Sequence, residues 1–252
     1  MSGSSKKIFP IYSIPVLIIL TLFIALCCFL RTSPDKLIGA AFCHQIPSRS
    51  PSPDFPFCYR CMGLFCGIFF GSLYSIILRI SGRFFSKFEI FMFILTLLLF
   101  LTDIVNKTAF FGIRIYSDNA EFRFFSAFPL GYTLVCLLFP IYLYLYEFKN
   151  TAGSGRILWF FCIMAAGCLI SWISAFRTGA AGLWFTRIFT VAGSLGFVFV
   201  LYCILVKCAA IVLKKECHFR TASLTAFFLT LLQICLLGGI HLALIRFWLI
   251  PN

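Results

Sequence analysis

Three thiols, one imidazole and two guanidiniums crowd into one short stretch of the chain. It reads Phe42-Cys43-His44-Gln45-Ile46-Pro47-Ser48-Arg49-Ser50, then Phe57-Cys58-Tyr59-Arg60-Cys61-Met62-Gly63. The Cys58-x-x-Cys61 spacing brings two sulfurs within reach of a common metal ion or of each other. It ends where an apolar run begins, so Cys61 lies near the positive end of a helix dipole. Arg60 adds a cation, and both effects favour a thiolate. Cys43 and His44 complete a Cys3His set, the kind that suits Zn2+. Neighbours in an extended chain point to opposite sides, so either a turn brings both to one ion or only one of them ligates. The same atoms serve a reversible Cys58–Cys61 disulfide with Cys43 as partner thiol, or a static staple. All three readings stand at this level.

A second set of polar residues lies inside or at the ends of apolar runs: Asp103, Arg123, Arg177, Arg187 and His241. A charge at membrane depth costs several kcal/mol unless paired, so such residues default to pairing or functional roles. Asp103 and Arg123 are expected to pair, since they sit on consecutive and hence neighbouring helices. The alternative is that each snorkels to the headgroups. His241 reads as a buried, hydrogen-bonded histidine rather than a ligand. Haem has no support, because the three histidines, His44, His218 and His241, form no i, i+3 or i, i+4 pair.

The elements that must position these groups are almost all hydrocarbon. The chain is 62% hydrophobic and 12% charged, against about 25% charged in soluble domains. No soluble fold buries that much apolar surface, and the lipid bilayer is the partner that composition implies. Aromatics reach 19%, with 34 Phe, a side chain that suits lipid because it has no donor to satisfy. The net charge of +13 comes from 21 Lys and Arg spread thinly between apolar runs. They read as headgroup anchors and topology signals, which excludes a nucleic-acid surface. Most of the 13 cysteines fall in apolar runs, where Cys is a small hydrophobe.

The expected fold is all-α, a polytopic transmembrane helix bundle of about seven spans, six to eight, each near the ~20 residues a bilayer requires. The spans are placed at about 8–30, 61–80, 88–105, 123–146, 157–176, 185–206 and 222–247. The first follows Lys6 and Lys7 and reads as a retained helix rather than a cleaved signal, since no small-x-small site follows it. Residues 31–60 form a polar loop whose Pro34, Pro47, Pro51, Pro53 and Pro56 argue against a regular helix. Gly63, Gly67 and Gly71 recur every four residues along one helix face, a small-xxx-small row for close packing. Counting Lys and Arg gives eleven on the N-terminal side and ten opposite, or seven once Arg49, Arg60 and Arg123 are assigned to a site. That count favours a cytoplasmic N-terminus and an outward cysteine loop.

The loop resembles a family of bacterial and archaeal membrane proteins catalogued as domain of unknown function 2085. Its pattern runs C-H-Q-x-P-x-R-S, then C-x-R-C-x-G-x-x-x-G-x-x-x-G. Here that pattern is Cys43-His44-Gln45-Ile46-Pro47-Ser48-Arg49-Ser50 and Cys58-Tyr59-Arg60-Cys61-Met62-Gly63, continuing to Gly67 and Gly71. Further on, the resemblance points to Asp103, Asn119, Arg123 and Gly131. Met62 replaces a usual small polar residue, Ala127 stands where a glycine is common, and no glycine follows Asp103. The resemblance covers about residues 38–140, so residues 1–146 read as a family-like membrane domain and 147–252 as a further membrane segment without a counterpart. It implies a shared polar site of Gln45, Arg49, Ser50, Arg60, Asp103, Asn119 and Arg123 beside the thiols, and a bacterial cytoplasmic membrane. It gives no reaction.

No hydrolase, kinase or nucleotide signature occurs. The expected function is therefore that of a non-enzymatic membrane protein, for transport or assembly, whose loop a metal or a disulfide fixes. A quinone-linked thiol oxidoreductase is the alternative, and it wants a second CxxC that the chain lacks. A transporter for a small solute or ion, gated by a buried Asp and Arg, is the third reading.

Overall fold

The computed structural model describes residue 18 and residues 21–43, 55–77, 87–108, 119–146 and 156–248. No strand occurs among them. The helices are α1 (residues 21–29), α2 (Pro34–Phe42), α3 (Tyr59–Ile77), α4 (Lys87–Thr108), α5 (Ala120–Leu145), α6 (Arg156–Phe176), α7 (Gly179–Val212), α8 (Phe219–Gln233) and α9 (Gly239–Trp248). A π turn, Ile234–Gly238, joins the last two. Six helical stretches are long and apolar enough to cross a membrane, α8 through α9 counting as one of them. With α1 as the described end of the first apolar run, this is the helical membrane bundle that composition demands.

Two compact units divide the chain. One comprises Met1–His44 with Leu201–Asn252, the other Gln45–Val200. The second holds α3 to α6 and most of α7, and its centre is the α3–α5 pair. Of an 18-residue apolar stretch in each helix, 61% is buried within the protein in α3 and α5, against 17% in α4, α6 and α7. In lipid there is no hydrophobic drive between helices, so close packing and polar ties must hold them. Both are present. A Cβ on Gly63 would come 2.5 Å from the Phe124 carbonyl oxygen; on Gly67 and Gly131 it would run still closer into the carbonyls of Phe128 and Leu64. Gly71 lies against Tyr132 and Val135. Partners advance in the same order along both helices, so α3 and α5 run parallel, backbone against backbone.

Polar ties bind the neighbours to this pair. Thr96 and Thr133 hydroxyls meet at 2.9 Å between α4 and α5, and Tyr132 donates to the Phe160 carbonyl at 3.1 Å between α5 and α6. Cys66 and Thr190 meet at 3.4 Å between α3 and α7. Such a bond contributes about 0.6 kcal/mol on average in a membrane protein. Pro129 and Pro140 leave α5 one continuous helix.

Two sequence expectations change. The polar loop 31–60 contains a helix, α2. Pro34 stands at its N1 position, where the missing N–H costs nothing, and no further proline follows until Pro47. The sixth span begins at Gly179 rather than Phe185 and runs for 34 residues. At 1.5 Å per residue that is about 51 Å, well past a core of about 30 Å. Nothing polar interrupts Gly179–Trp184, so the helix starts early.

Candidate metal centre

α3 begins immediately after Cys58, whose carbonyl accepts the Met62 N–H at 2.9 Å. Cys58 is therefore the residue that starts the helix, and Cys61 lies in its first turn. The approach is fixed by aromatic anchors. Phe57 is buried and meets Phe65 edge-on with centroids 5.6 Å apart, and buried Phe55 lies under the Arg187 guanidinium at 5.9 Å. Tyr59 stacks on Phe176 at 5.4 Å. Cys43 caps the C-terminal end of α2, its N–H bonded to the Gly39 carbonyl at 2.8 Å.

Cys43 and Cys58 are buried and Cys61 is half-buried, and the three are a cysteine set that could hold a metal ion. Such a donor set suits tetrahedral zinc, with Zn–S bonds of about 2.3 Å. Three thiolates and a divalent cation leave a net negative charge, and the N-terminal end of α3 is the favourable place for it. His44, Gln45, Arg49 and Ser50 lie outside the described residues.

Arg60 does something other than the sequence suggests. Its Nε donates to Asp103 Oδ2, and a terminal nitrogen donates to the Asp103 backbone carbonyl at 2.9 Å. Both residues are buried. The guanidinium is thus engaged by a carboxylate, and its charge is compensated there rather than at the thiols. Asp103 thus has a partner that the sequence did not point to, Arg60, and their pairing ties the end of α4 to the start of α3. Because Gly63 lies against Phe124, the buried Arg123 belongs to this same end of the bundle. Ser126 donates to the Arg123 carbonyl at 3.1 Å. Buried Asn106 lies in the last turn of α4, three residues beyond Asp103.

Asn119 is exposed and caps α5, its side-chain oxygen accepting the Glu121 N–H at 2.8 Å. Its observed contact is structural. Arg177 lies 5.0 Å from the Trp172 ring and 3.9 Å from Glu121, both pairings largely exposed, as a headgroup anchor would be. His241 is half-buried and bonded through Nδ1 to the Ala40 carbonyl at 2.8 Å. Sequence reasoning missed the anchors Phe55, Phe57 and Tyr59. The signal was there, since three aromatics among prolines in a polar loop have no lipid to face.

The family model described as Predicted membrane protein (DUF2085) matches residues 43–137. No curated protein and no solved structure matches the chain. The match starts at Cys43 and takes in the other two thiols of the cluster, α3, α4 and most of α5. With six apolar helices of spanning length, this is an integral membrane protein, and its segment 43–137 matches the predicted membrane protein family DUF2085, the one its cysteine pattern resembles.

Proposed function

We propose that Cys43, Cys58 and Cys61 bind a zinc ion, with His44, the next residue in the chain, completing a Cys3His set, and that this metal fixes the loop at the polar end of the bundle. The carrying observation is that Cys43, Cys58 and Cys61 form a set that could hold a metal ion, two of them in Cys58-x-x-Cys61 spacing at the start of α3. A disulfide uses two sulfurs and gives no reason for a third to join them; a metal ion does. In this reading the centre is structural. The Cys58 and Cys61 thiolates are held at the start of α3, which the glycine row seats on α5 and the Arg60–Asp103 pair ties to α4.

The polar end then consists of Gln45, Arg49 and Ser50 from the loop with Arg60, Asp103 and Arg123 from the helices, in a bacterial cytoplasmic membrane. Its role is recognition or passage of a small solute rather than catalysis. The test is metal analysis with thiol counting on protein purified in detergent without chelators. About one zinc per chain, lost in Cys58→Ser, is the expected result. Metal-free protein whose Cys58 and Cys61 are oxidised by an added quinone would replace this reading with a thiol oxidoreductase.

A further inference from the structure

α4 turns most of its surface to lipid, and its apolar side chains are exposed or half-buried. Only four of its described side chains are buried: Glu89, Thr96, Asp103 and Asn106. All four are polar. Seven residues are close to two helical turns, so Glu89, Thr96 and Asp103 lie one above another on a single face, with Asn106 about one turn beyond. From Glu89 to Asn106 this face runs about 25 Å, most of a hydrocarbon core of about 30 Å.

α5 matches this face level by level. α3 and α5 run parallel, and Arg60 at the start of α3 meets Asp103 at the end of α4, so α4 runs antiparallel to both. The Thr96–Thr133 contact at 2.9 Å sets the register. Counted from there in opposite directions, Asp103 comes level with Ser126, Asn106 with Arg123, and Glu89 with Pro140. Those four α5 residues are all buried. A polar line therefore follows the α4–α5 seam across the bundle, where the α3–α5 seam is glycine and hydrocarbon. The line is also lightly closed. Thr96 has the Phe93 carbonyl of its own helix, and Thr133 those of Pro129 and Leu130. Parting the two hydroxyls leaves neither without a partner and costs about 0.6 kcal/mol.

We propose that the α4–α5 seam is the route by which a small, uncharged, hydrogen-bonding solute, of the polyol or urea kind, crosses the membrane. Such a solute replaces the Thr96–Thr133 bond with its own donors and acceptors. The chemistry of the levels selects against ions. At the middle level an ion meets hydroxyls and no charged group on α4 or α5, and stripping its water there costs several kcal/mol. At the Asp103 end, two buried guanidiniums, Arg60 and Arg123, stand with one buried carboxylate among the described residues, which disfavours cations and protons. The inference rests on the reading of the polar end as a place of solute recognition or passage, and it does not depend on the metal.

The test uses the full chain reconstituted in phospholipid vesicles. Entry of glycerol and urea is followed by stopped-flow light scattering. Proton entry is followed by trapped pyranine, driven by a potassium gradient with valinomycin. The wild-type protein is expected to admit glycerol or urea severalfold faster than protein-free vesicles do, and to leave proton entry unchanged. Thr96→Val with Thr133→Val keeps the side-chain shapes and removes both hydroxyls, and it should return solute entry to the protein-free rate. Thr96→Ser, which keeps a hydroxyl, should admit solute as the wild type does. So should Thr102→Val, whose hydroxyl lies on the exposed face of α4 and bonds the Leu98 carbonyl. Solute entry that the double variant leaves intact would overturn the route, with passage itself still standing. A loss as large in Thr102→Val would overturn it too. Proton entry without solute entry, lost in the double variant, would overturn the class of solute. No entry of any probe would overturn both the inference and the reading of solute passage on which it rests.

Discussion

The α3–α5 pair and the docking of α2 on the C-terminal helix both bring helix backbones together, and they do so by different means. Between α3 and α5, glycines on both sides let the two backbones meet along more than two turns: Gly63, Gly67 and Gly71 from one side, Gly131 from the other. Little there can adjust, since the nearest opposing atoms are backbone carbonyl oxygens at Gly63, Gly67 and Gly131, and only at Gly71 a side-chain methyl, that of Val135. At α2 the approach is confined to one glycine, Gly238, and one histidine hydrogen bond, both near a π turn. The first arrangement carries Cys58 and Cys61; the second carries Cys43. Cys58 and Cys61 are thus built on a seam that gives little, Cys43 on a contact made of a few replaceable parts.

If that contrast holds, the largest effect belongs to the seam. Gly67→Leu or Gly131→Leu forces a side chain into an opposing backbone carbonyl and should cost about 3 kcal/mol or more. The expected result is loss of monodisperse protein in detergent. Gly196 has open space around its α-carbon, and Gly196→Ala should leave melting unchanged. Equal effects at Gly67 and Gly196 would break the comparison.

Next comes the ion pair at the end of the seam. Asp103→Asn leaves Arg60 as a buried cation and should cost about 3–5 kcal/mol in a denaturant titration. The double variant Arg60→Leu with Asp103→Leu should cost far less than the sum of the single changes. Additive losses would mean that the two side chains do not act as a pair.

A smaller effect is expected from Thr96→Val. Its partner hydroxyl, on Thr133, keeps bonds to the Pro129 and Leu130 carbonyls, so the interhelical tie, about 0.6 kcal/mol, is lost together with Thr96's own bond to the Phe93 carbonyl within α4. The smallest should be Tyr202→Phe, which removes a bond of 2.7 Å to Gln233 that is only partly buried. It should shift melting by less than Thr96→Val does. A larger shift would place more of the stability in the α7–α8 contact than the contrast allows.

Much of this fold can be read from the residue types, because apolar runs of spanning length leave a chain no alternative to membrane helices. The thiols can be picked out for the opposite reason, being polar where little else is. Pairings are harder. Arg60 and Asp103 are each conspicuous, but 43 residues separate them, and nothing in either neighbourhood says that α4 returns to the start of α3. Sequence spacing points from Asp103 to Arg123, on the consecutive helix, and says nothing of Arg60 as a partner. The helix α2 escapes notice because five prolines colour the whole of residues 31–60, although Pro34 at N1 begins a helix as readily as Pro47 forbids one. The spacing of Gly63, Gly67 and Gly71 is visible in the sequence; that α5 lies against them is not, since a glycine row says only that something comes close. His241 is the extreme case. Its partner carbonyl lies 201 residues away, and a backbone acceptor leaves no mark in the residue types.

The central claim is that Cys43, Cys58 and Cys61 share one metal ion, and X-ray absorption at the zinc edge on the purified, full-length protein tests it most directly. The account predicts a shell of three sulfurs at about 2.3 Å with one nitrogen at about 2.0–2.1 Å, reduced by one sulfur in Cys43→Ser. A zinc shell of nitrogen and oxygen alone, or a sulfur count that Cys43→Ser leaves untouched, would contradict it.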